Sequence, residues 1–313
     1  MAEGKWISGL TADTPVHDAA RRTILVRLDV VRHYLPLAVE EAEEDPEHVH
    51  QLRVGTRRAG AALAIFQICL DEKDYSTVKK ALRCIRRAAG AARDWDVFLL
   101  QLSSHRVKLP AKQQYGLDFL FGQAFANRCH AQEQLRETSP APHFEFDRVI
   151  AQGVAAVHKP DHSAPGKTLG EIAIPTLAGL LREFEEAAAR DLNDYDKLHQ
   201  VRIAGKRLRY AMEVFADCFF AEFRDVHYAA VEEMQEILGY ANDCHVGIQR
   251  LTKLQRDLAA QWPHQARRYH PGIEGLLKHY QEELPKRRQQ FIDWWNNWQQ
   301  SGREQQLVSL LMG

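Results

Sequence analysis

Apolar residues recur along most of the chain at intervals of three and four, the period that gathers them on one side of an α-helix. Ile24, Leu28, Val31 and Leu35 form one such stripe, and Leu52, Thr56, Ala59, Leu63 and Phe66 a second. Leu82, Ile85, Ala89 and Ala92 form a third. The strict alternation expected of strands is hard to find. Thr14-Pro15 and Asp45-Pro46 each offer a capping side chain followed by proline at the first helical position. The pattern predicts helices over about 15–44, 46–70, 75–104, 111–137, 144–157, 168–190, 195–220, 225–259 and 272–303. Between the fifth and sixth, residues 158–166 hold two prolines and a glycine among polar residues and read as a linker. The chain is therefore expected to be all-α.

The pattern also repeats. His50-Gln51-Leu52-Arg53-Val54-Gly55-Thr56-Arg57-Arg58 returns as His199-Gln200-Val201-Arg202-Ile203-Ala204-Gly205-Lys206-Arg207, an offset of 149. The same offset relates Phe66 to Phe215, Cys69 to Cys218, Gly90 to Gly239, Asp94 to Asp243 and Val97 to Val246. A single ungapped register across a helix, a turn and the next helix points to internal duplication. The simplest architecture is two similar helical bundles, residues 1–160 and 161–313, joined near 160 and related by a pseudo-two-fold.

The polar faces carry the chemistry. At about 100° per residue, His50, Arg53 and Arg57 share one stripe, opposite the apolar one. His199, Arg202 and Lys206 do the same in the second copy, with Arg207 and Arg209 nearby. The next helix of the first half adds Lys79, Arg83, Arg86 and Arg87, and no acidic residue occurs from Ser76 to Arg93. Like charges at this spacing repel by a few tenths of a kcal/mol per pair, so a partner must neutralise them. The halves differ here, because Arg83, Arg86 and Arg87 align with Glu232, Gln235 and Glu236.

Whole-chain charge changes the picture only by showing that the basic faces are local. The formal net charge of the 313 residues is −1, so this is not a generally basic molecule. Cys69, Cys84, Cys129, Cys218 and Cys244 stand singly, as reduced thiols do in a cytoplasm. The N-terminus lacks a signal-peptide pattern, and no run of about 18 apolar residues suggests a membrane span. A soluble, cytoplasmic protein is expected.

The cations extend along helices over several turns, whereas a compact phosphate ligand is usually held at a glycine-rich loop or helix N-terminus. Neither G-x-x-x-x-G-K-[ST] nor G-x-G-x-x-G occurs. The stripe from His50 to Arg57 covers about 10 Å, a geometry suited to a linear polyanion. Nucleic-acid binders interleave aromatics for base stacking. Only Tyr210 does so here, which favours a polyanion without bases over single-stranded nucleic acid. An enzyme needs a nucleophile or metal beside a base. No such arrangement can be placed, and a polyphosphate hydrolase or phosphotransferase remains the alternative reading. Metal binding is disfavoured: His48 and His50 are a poor helical ligand pair beside Arg53, and His130, His143, His158 and His162 lack ligand spacing. Trp294, Trp295 and Trp298 are expected to pack the last helix onto its bundle.

H-x-x-R-V-x-x-R-R at His50, H-x-x-R-I-x-x-K-R-L-R-Y at His199 and G-x-x-R-D-x-D-V at Gly90 resemble the CHAD domain, a histidine-bearing α-helical family. The resemblance runs over about residues 10–300. It implies two four-helix bundles about a pseudo-two-fold, with a central basic channel that binds inorganic polyphosphate, and association with polyphosphate granules and their proteins. Binding without catalysis is expected, with no cofactor and no metal. By position, the implied polyphosphate-binding set is His50, Arg53, Arg57, Arg58, Lys79, Arg83, Arg86, His199, Arg202, Lys206, Arg207 and Arg209, and Arg87, on the same stripe of its helix, is added to it. The chain departs from the family pattern at Gly60, where a third arginine is usual. No E-x-E-x-K signature of the CYTH domain often fused to this family occurs, so a stand-alone member is expected.

Overall fold

A computed structural model describes residues 5–106, 110–138, 142–155, 157, 166–302, 306, 307 and 309. Among these residues nine α-helices follow in order: α1 (Val16–Glu40), α2 (Glu47–Ile65), α3 (Glu72–Arg106), α4 (Ala111–Thr138), α5 (Pro142–Ala155), α6 (Leu169–Ala188), α7 (Tyr195–Phe215), α8 (Ala229–Gln261) and α9 (Pro263–Gln300). Among the described residues there is no strand, only two isolated antiparallel bridges. The all-α expectation holds. Residues 158–165 of the expected linker lie outside the described residues.

The apolar stripes go inward. Ile24, Leu28, Val31 and Leu35 of α1, and Leu52, Ala59 and Leu63 of α2, are all buried. Several helix starts are capped by side chains. At α6, Glu171 N–H donates to Thr168 Oγ1 at 3.4 Å while Thr168 N–H donates to Glu171 Oε2 at 2.7 Å. This reciprocal pair satisfies two backbone donors the helix cannot. At α7, Asp194 Oδ1 accepts from Asp196 N–H at 2.9 Å.

Boundaries differ from the sequence reading at several helices, most clearly at α2, α7 and α9. Neither His-bearing helix reaches its expected end: α2 stops at Ile65 and α7 at Phe215, and each is followed by a 3₁₀ turn, Gln67–Cys69 and Ala216–Cys218. The last helix begins at Pro263 rather than Gly272 and continues through Pro271 and Pro285. Pro263 occupies a first-turn position, where its missing N–H is not needed. Pro271 removes a hydrogen bond inside the helix, yet the segment stays helical because α4 is pressed against it. A Cβ on Gly272 would lie 2.7 Å from Gly116 Cα, so only two glycines permit this crossing. Tertiary packing outweighs propensity there.

In sequence order α1 packs on α2, α2 on α3 and α3 on α4, then α6 on α7, α7 on α8 and α8 on α9, while α5 covers α1 and α3. Across the halves, α2 meets α7 and α4 meets α9. The segments leading into α1 and α6 also meet: Val16 N–H donates to Lys167 O at 2.9 Å, and Leu169 N–H to Thr14 O at 2.8 Å. Each of these contacts joins an element to its counterpart in the other half, as a two-fold relation requires. The apolar core does not divide at the linker. The larger cluster joins α1 and α2 to α6, α7 and the end of α9. The smaller joins Phe98, Leu102, Leu117 and Leu120 to Leu251, Leu258, Ile273 and Leu276. Trp294, Trp295 and Trp298 are buried beside Phe184 and Phe291, the packing role expected of them.

Candidate functional site

Where α2 faces α7, with α3 and α8 on the flanks, a groove of about 530 Å³ opens. Its lining follows the duplication residue by residue. From α2 and α7 come His50 and His199, Arg53 and Arg202, Val54 and Ile203, Arg57 and Lys206. From α3 and α8 come Arg93 and Asn242, Asp94 and Asp243, Val97 and Val246, Phe98 and Gly247, Gln101 and Arg250. Every pair keeps the offset of 149, so the two halves contribute matching sequence positions to the groove.

Six lysine and arginine side chains face two carboxylates here. Arg53 Nη1 donates to Asp94 Oδ1 at 2.6 Å. Arg202 has no such bond, and its buried Nε lacks a hydrogen-bond partner among the described residues. Burial pushes the Asp243 carboxyl above the usual range, which weakens it as a counter-ion. Asn242 Nδ2 donates to Asp243 Oδ1 at 3.4 Å, and Tyr195 OH donates to Asn242 Oδ1 at 3.2 Å. Arg250 lies over Trp95 and Phe98, at 3.8 and 4.6 Å from their ring centroids, and so forms one wall.

Crowding shows in the titration of these groups. Burial, then the charges of Arg57, Arg202 and Arg53, push the Lys206 ammonium down to about 6. Burial and Arg53 push Arg57 down to about 10. His50 is lowered by burial and by Arg93, and His199 by burial, Arg202 and Lys206. Both imidazoles are thus neutral at neutral pH and offer one N–H donor each. Cations held this close in a low-dielectric cleft set up a positive potential of several kT. An anion entering the groove relieves it.

The other sequence candidates lie elsewhere. Arg58, one residue from Arg57, points into the interior: its Nε and Nη2 donate to Glu213 at 2.7 and 3.1 Å. Arg27 and Tyr228 donate to the same carboxylate at 3.4 and 3.0 Å. This buried cluster ties α1, α2 and α7 together, which takes Arg58 out of the candidate binding set. Arg207 is exposed and pairs with Glu183 at 3.1 Å. Arg209 pairs with Glu232 at 3.2 Å. Lys79, Arg83, Arg86 and Arg87 are exposed on α3 outside the groove. Lys79 Nζ donates to Tyr75 OH at 2.9 Å, and the three arginines make no ion pair among the described residues.

Arg93 and Arg250 line the groove but were not in the sequence-derived set. Arg93 was within reach, since it adjoins Asp94 in the repeated register. Arg250 aligns with Gln101 and carried no signal of its own. At Gly60 an added Cβ would meet nothing within 4 Å. Its counterpart, Arg209, is matched by Glu232, and the counterpart of Glu232 is Arg83. An arginine at 60 would therefore face another arginine.

Among the described residues no group of three or more His, Cys, Asp or Glu converges as a metal site, and no helix is long and apolar enough to cross a membrane. A family model described as CHAD domain matches residues 23–252. The crystal structure of the CHAD domain from the plant Ricinus communis is similar, with a TM-score of 0.70 and 25% identity, over 90% of this chain and 91% of that one. PptA from Streptomyces chartreusis shares the fold, with a TM-score of 0.71 and 18% identity, over 90% and 100% of the two chains. No curated protein matches the chain.

Proposed function

Since the chain belongs to the CHAD domain family, a family linked to polyphosphate, we propose that its groove binds inorganic polyphosphate and does not cleave it. The observation that carries this reading is the groove itself: His50, Arg53 and Arg57 facing His199, Arg202 and Lys206, with five arginines and a lysine that is charged on binding set against two carboxylates. Arginine forks and a lysine point charge suit phosphate oxygens, and the two neutral imidazoles add hydrogen-bond donors. The walls between them are Val54, Ile203, Val97 and Val246, and the one phenyl ring of the lining, Phe98, is buried with Arg250 over its face, which leaves no open phenyl or indole ring on which bases would stack. This favours polyphosphate over single-stranded nucleic acid. No nucleophile is paired with a base in the groove. Granule association follows as the cellular consequence of such binding.

The test is a filter-binding titration with polyphosphate across salt. Six groove contacts give a slope of log K on log salt near −4, at roughly −0.7 per contact by analogy with single strands. A salt-independent affinity overturns the reading, as does equal competition by single-stranded RNA. Phosphate released on incubation with magnesium or manganese overturns the non-catalytic part.

A further inference from the structure

The groove is symmetric but its approaches are not. On α3 the stripe that enters the groove at Arg93 continues backwards through Gly90, Arg86, Arg83 and Lys79. Arg86 is one heptad before Arg93, about 20° round the helix and about 10 Å along it, and Lys79 is about 21 Å away. Arg83, Arg86 and Arg87 are exposed, and none makes an ion pair among the described residues.

The corresponding stripe on α8 is closed. Tyr228 and Glu232 stand at the positions of Lys79 and Arg83, and Gln235 at that of Arg86. Glu232 is held by Lys5 at 3.0 Å and by Arg209 at 3.2 Å. The N-terminal segment lies on this surface: the Trp6 ring stands 4.8 Å edge-on from Tyr228, and Lys5 Nζ lies 4.7 Å over the Tyr228 ring. Tyr228 and Gln235 are buried. Sign of charge and physical cover both deny a polyanion this side.

We propose that a long polyphosphate leaves the groove on one side only, along the α3 track of Arg86, Arg83, Arg87 and Lys79, so that the protein selects long chains over short ones. This rests on the polyphosphate reading of the groove and adds to it a directed second contact surface. A short oligomer fills the groove alone, whereas a long one gains the track.

The experiment compares tripolyphosphate with long-chain polyphosphate, on the wild type and on an Arg83→Ala, Arg86→Ala, Arg87→Ala triple variant. These side chains are exposed, so the fold should survive, and circular dichroism checks that it does. The expected result is at least a tenfold loss for the long chain, less than a twofold loss for tripolyphosphate, and a salt slope for the long chain shallower by about 2, at roughly 0.7 per lost contact. Equal losses for both ligands would show that the arginines act only through their general field and overturn the proposal. An unchanged long-chain affinity overturns it too. If the wild type binds neither ligand, the polyphosphate reading of the groove fails first. A Glu236→Lys variant on exposed α8 checks direction: a gain for the long chain as large as the loss from the triple variant would mean that both sides are used, against the proposal.

Discussion

Arg53 and Arg202 occupy equivalent positions in the groove, yet only Arg53 holds its helix-neighbouring aspartate, with Nη1 2.6 Å from Asp94 Oδ1. Arg202 makes no ion pair with Asp243 among the described residues, although the two are close enough to perturb one another. Half of the duplicated site is therefore partly neutralised and half is left open. An incoming phosphate shares Arg53 with Asp94, but meets Arg202 unpaired.

The two arginines should consequently differ in value. A hydrogen bond to a charged group contributes about 1.5–3 kcal/mol, so Arg202→Ala is expected to weaken polyphosphate binding by roughly tenfold or more. Arg53→Ala loses a contact that was already satisfied in the free protein and should weaken it by less. Filter binding on both variants ranks them, and a larger loss at Arg53 contradicts the asymmetry.

Lys206 links binding to pH. Its ammonium is held down at about 6 in the free protein, and a bound polyanion returns it towards the ordinary lysine value of about 10.4. Between those limits binding takes up a proton, so affinity falls as pH rises. Arg57, Arg53, Arg202 and Arg209 face it on the same cluster, with Tyr210 beside them. Isothermal titration at pH 8 in buffers of different ionisation enthalpy should report up to one proton taken up, and none in Lys206→Met.

The same substitution should stabilise the free protein. With a folded value below the unfolded one, the unfolded chain binds the extra proton, so Lys206 opposes folding fully below about pH 6. That penalty fades as pH rises towards the ordinary lysine value. Thermal denaturation should therefore show Lys206→Met above the wild type at pH 7, with the gap closing near pH 10.

Arg58 offers a separation of stability from binding. Arg58→Ala leaves the Glu213 carboxylate buried with Arg27 at 3.4 Å and Tyr228 as its remaining partners. Breaking a buried pair costs about 3–5 kcal/mol. The melting temperature should drop by several degrees, while polyphosphate affinity measured well below the transition stays within about twofold. A selective loss of affinity without destabilisation would return Arg58 to the binding set.

Gly60→Arg adds a cation where there is open space. Replacing a mid-helix glycine favours the helix by roughly 0.5–1 kcal/mol, but the new side chain comes next to Arg83 and no acid. Little net change in melting temperature is expected, together with tighter long-chain binding and a salt slope steeper by about 0.7. An unchanged slope places the new guanidinium outside the track.

Helical period and the offset of 149 were legible in the chain, because each depends on neighbours within a turn or on comparing the chain with itself. So was the cationic face of His50, Arg53 and Arg57. The caps were not, since Pro15 and Pro46 take the N-cap positions expected of Thr14 and Asp45, and the side-chain caps form instead at Thr168 and Asp194. The start of α9 was not, since Pro271 looks like a terminator until Gly116 is seen lying against Gly272. Nor was the fate of adjacent arginines. Arg57 and Arg58 differ by about 100° of helical rotation, and nothing local says which direction holds solvent and which holds Glu213, 155 residues away. The sequence by itself determined an all-helical, duplicated chain with one-signed faces. Only the tertiary structure decided which of those charges meet each other, because a charge's role is set by what long-range packing brings opposite it.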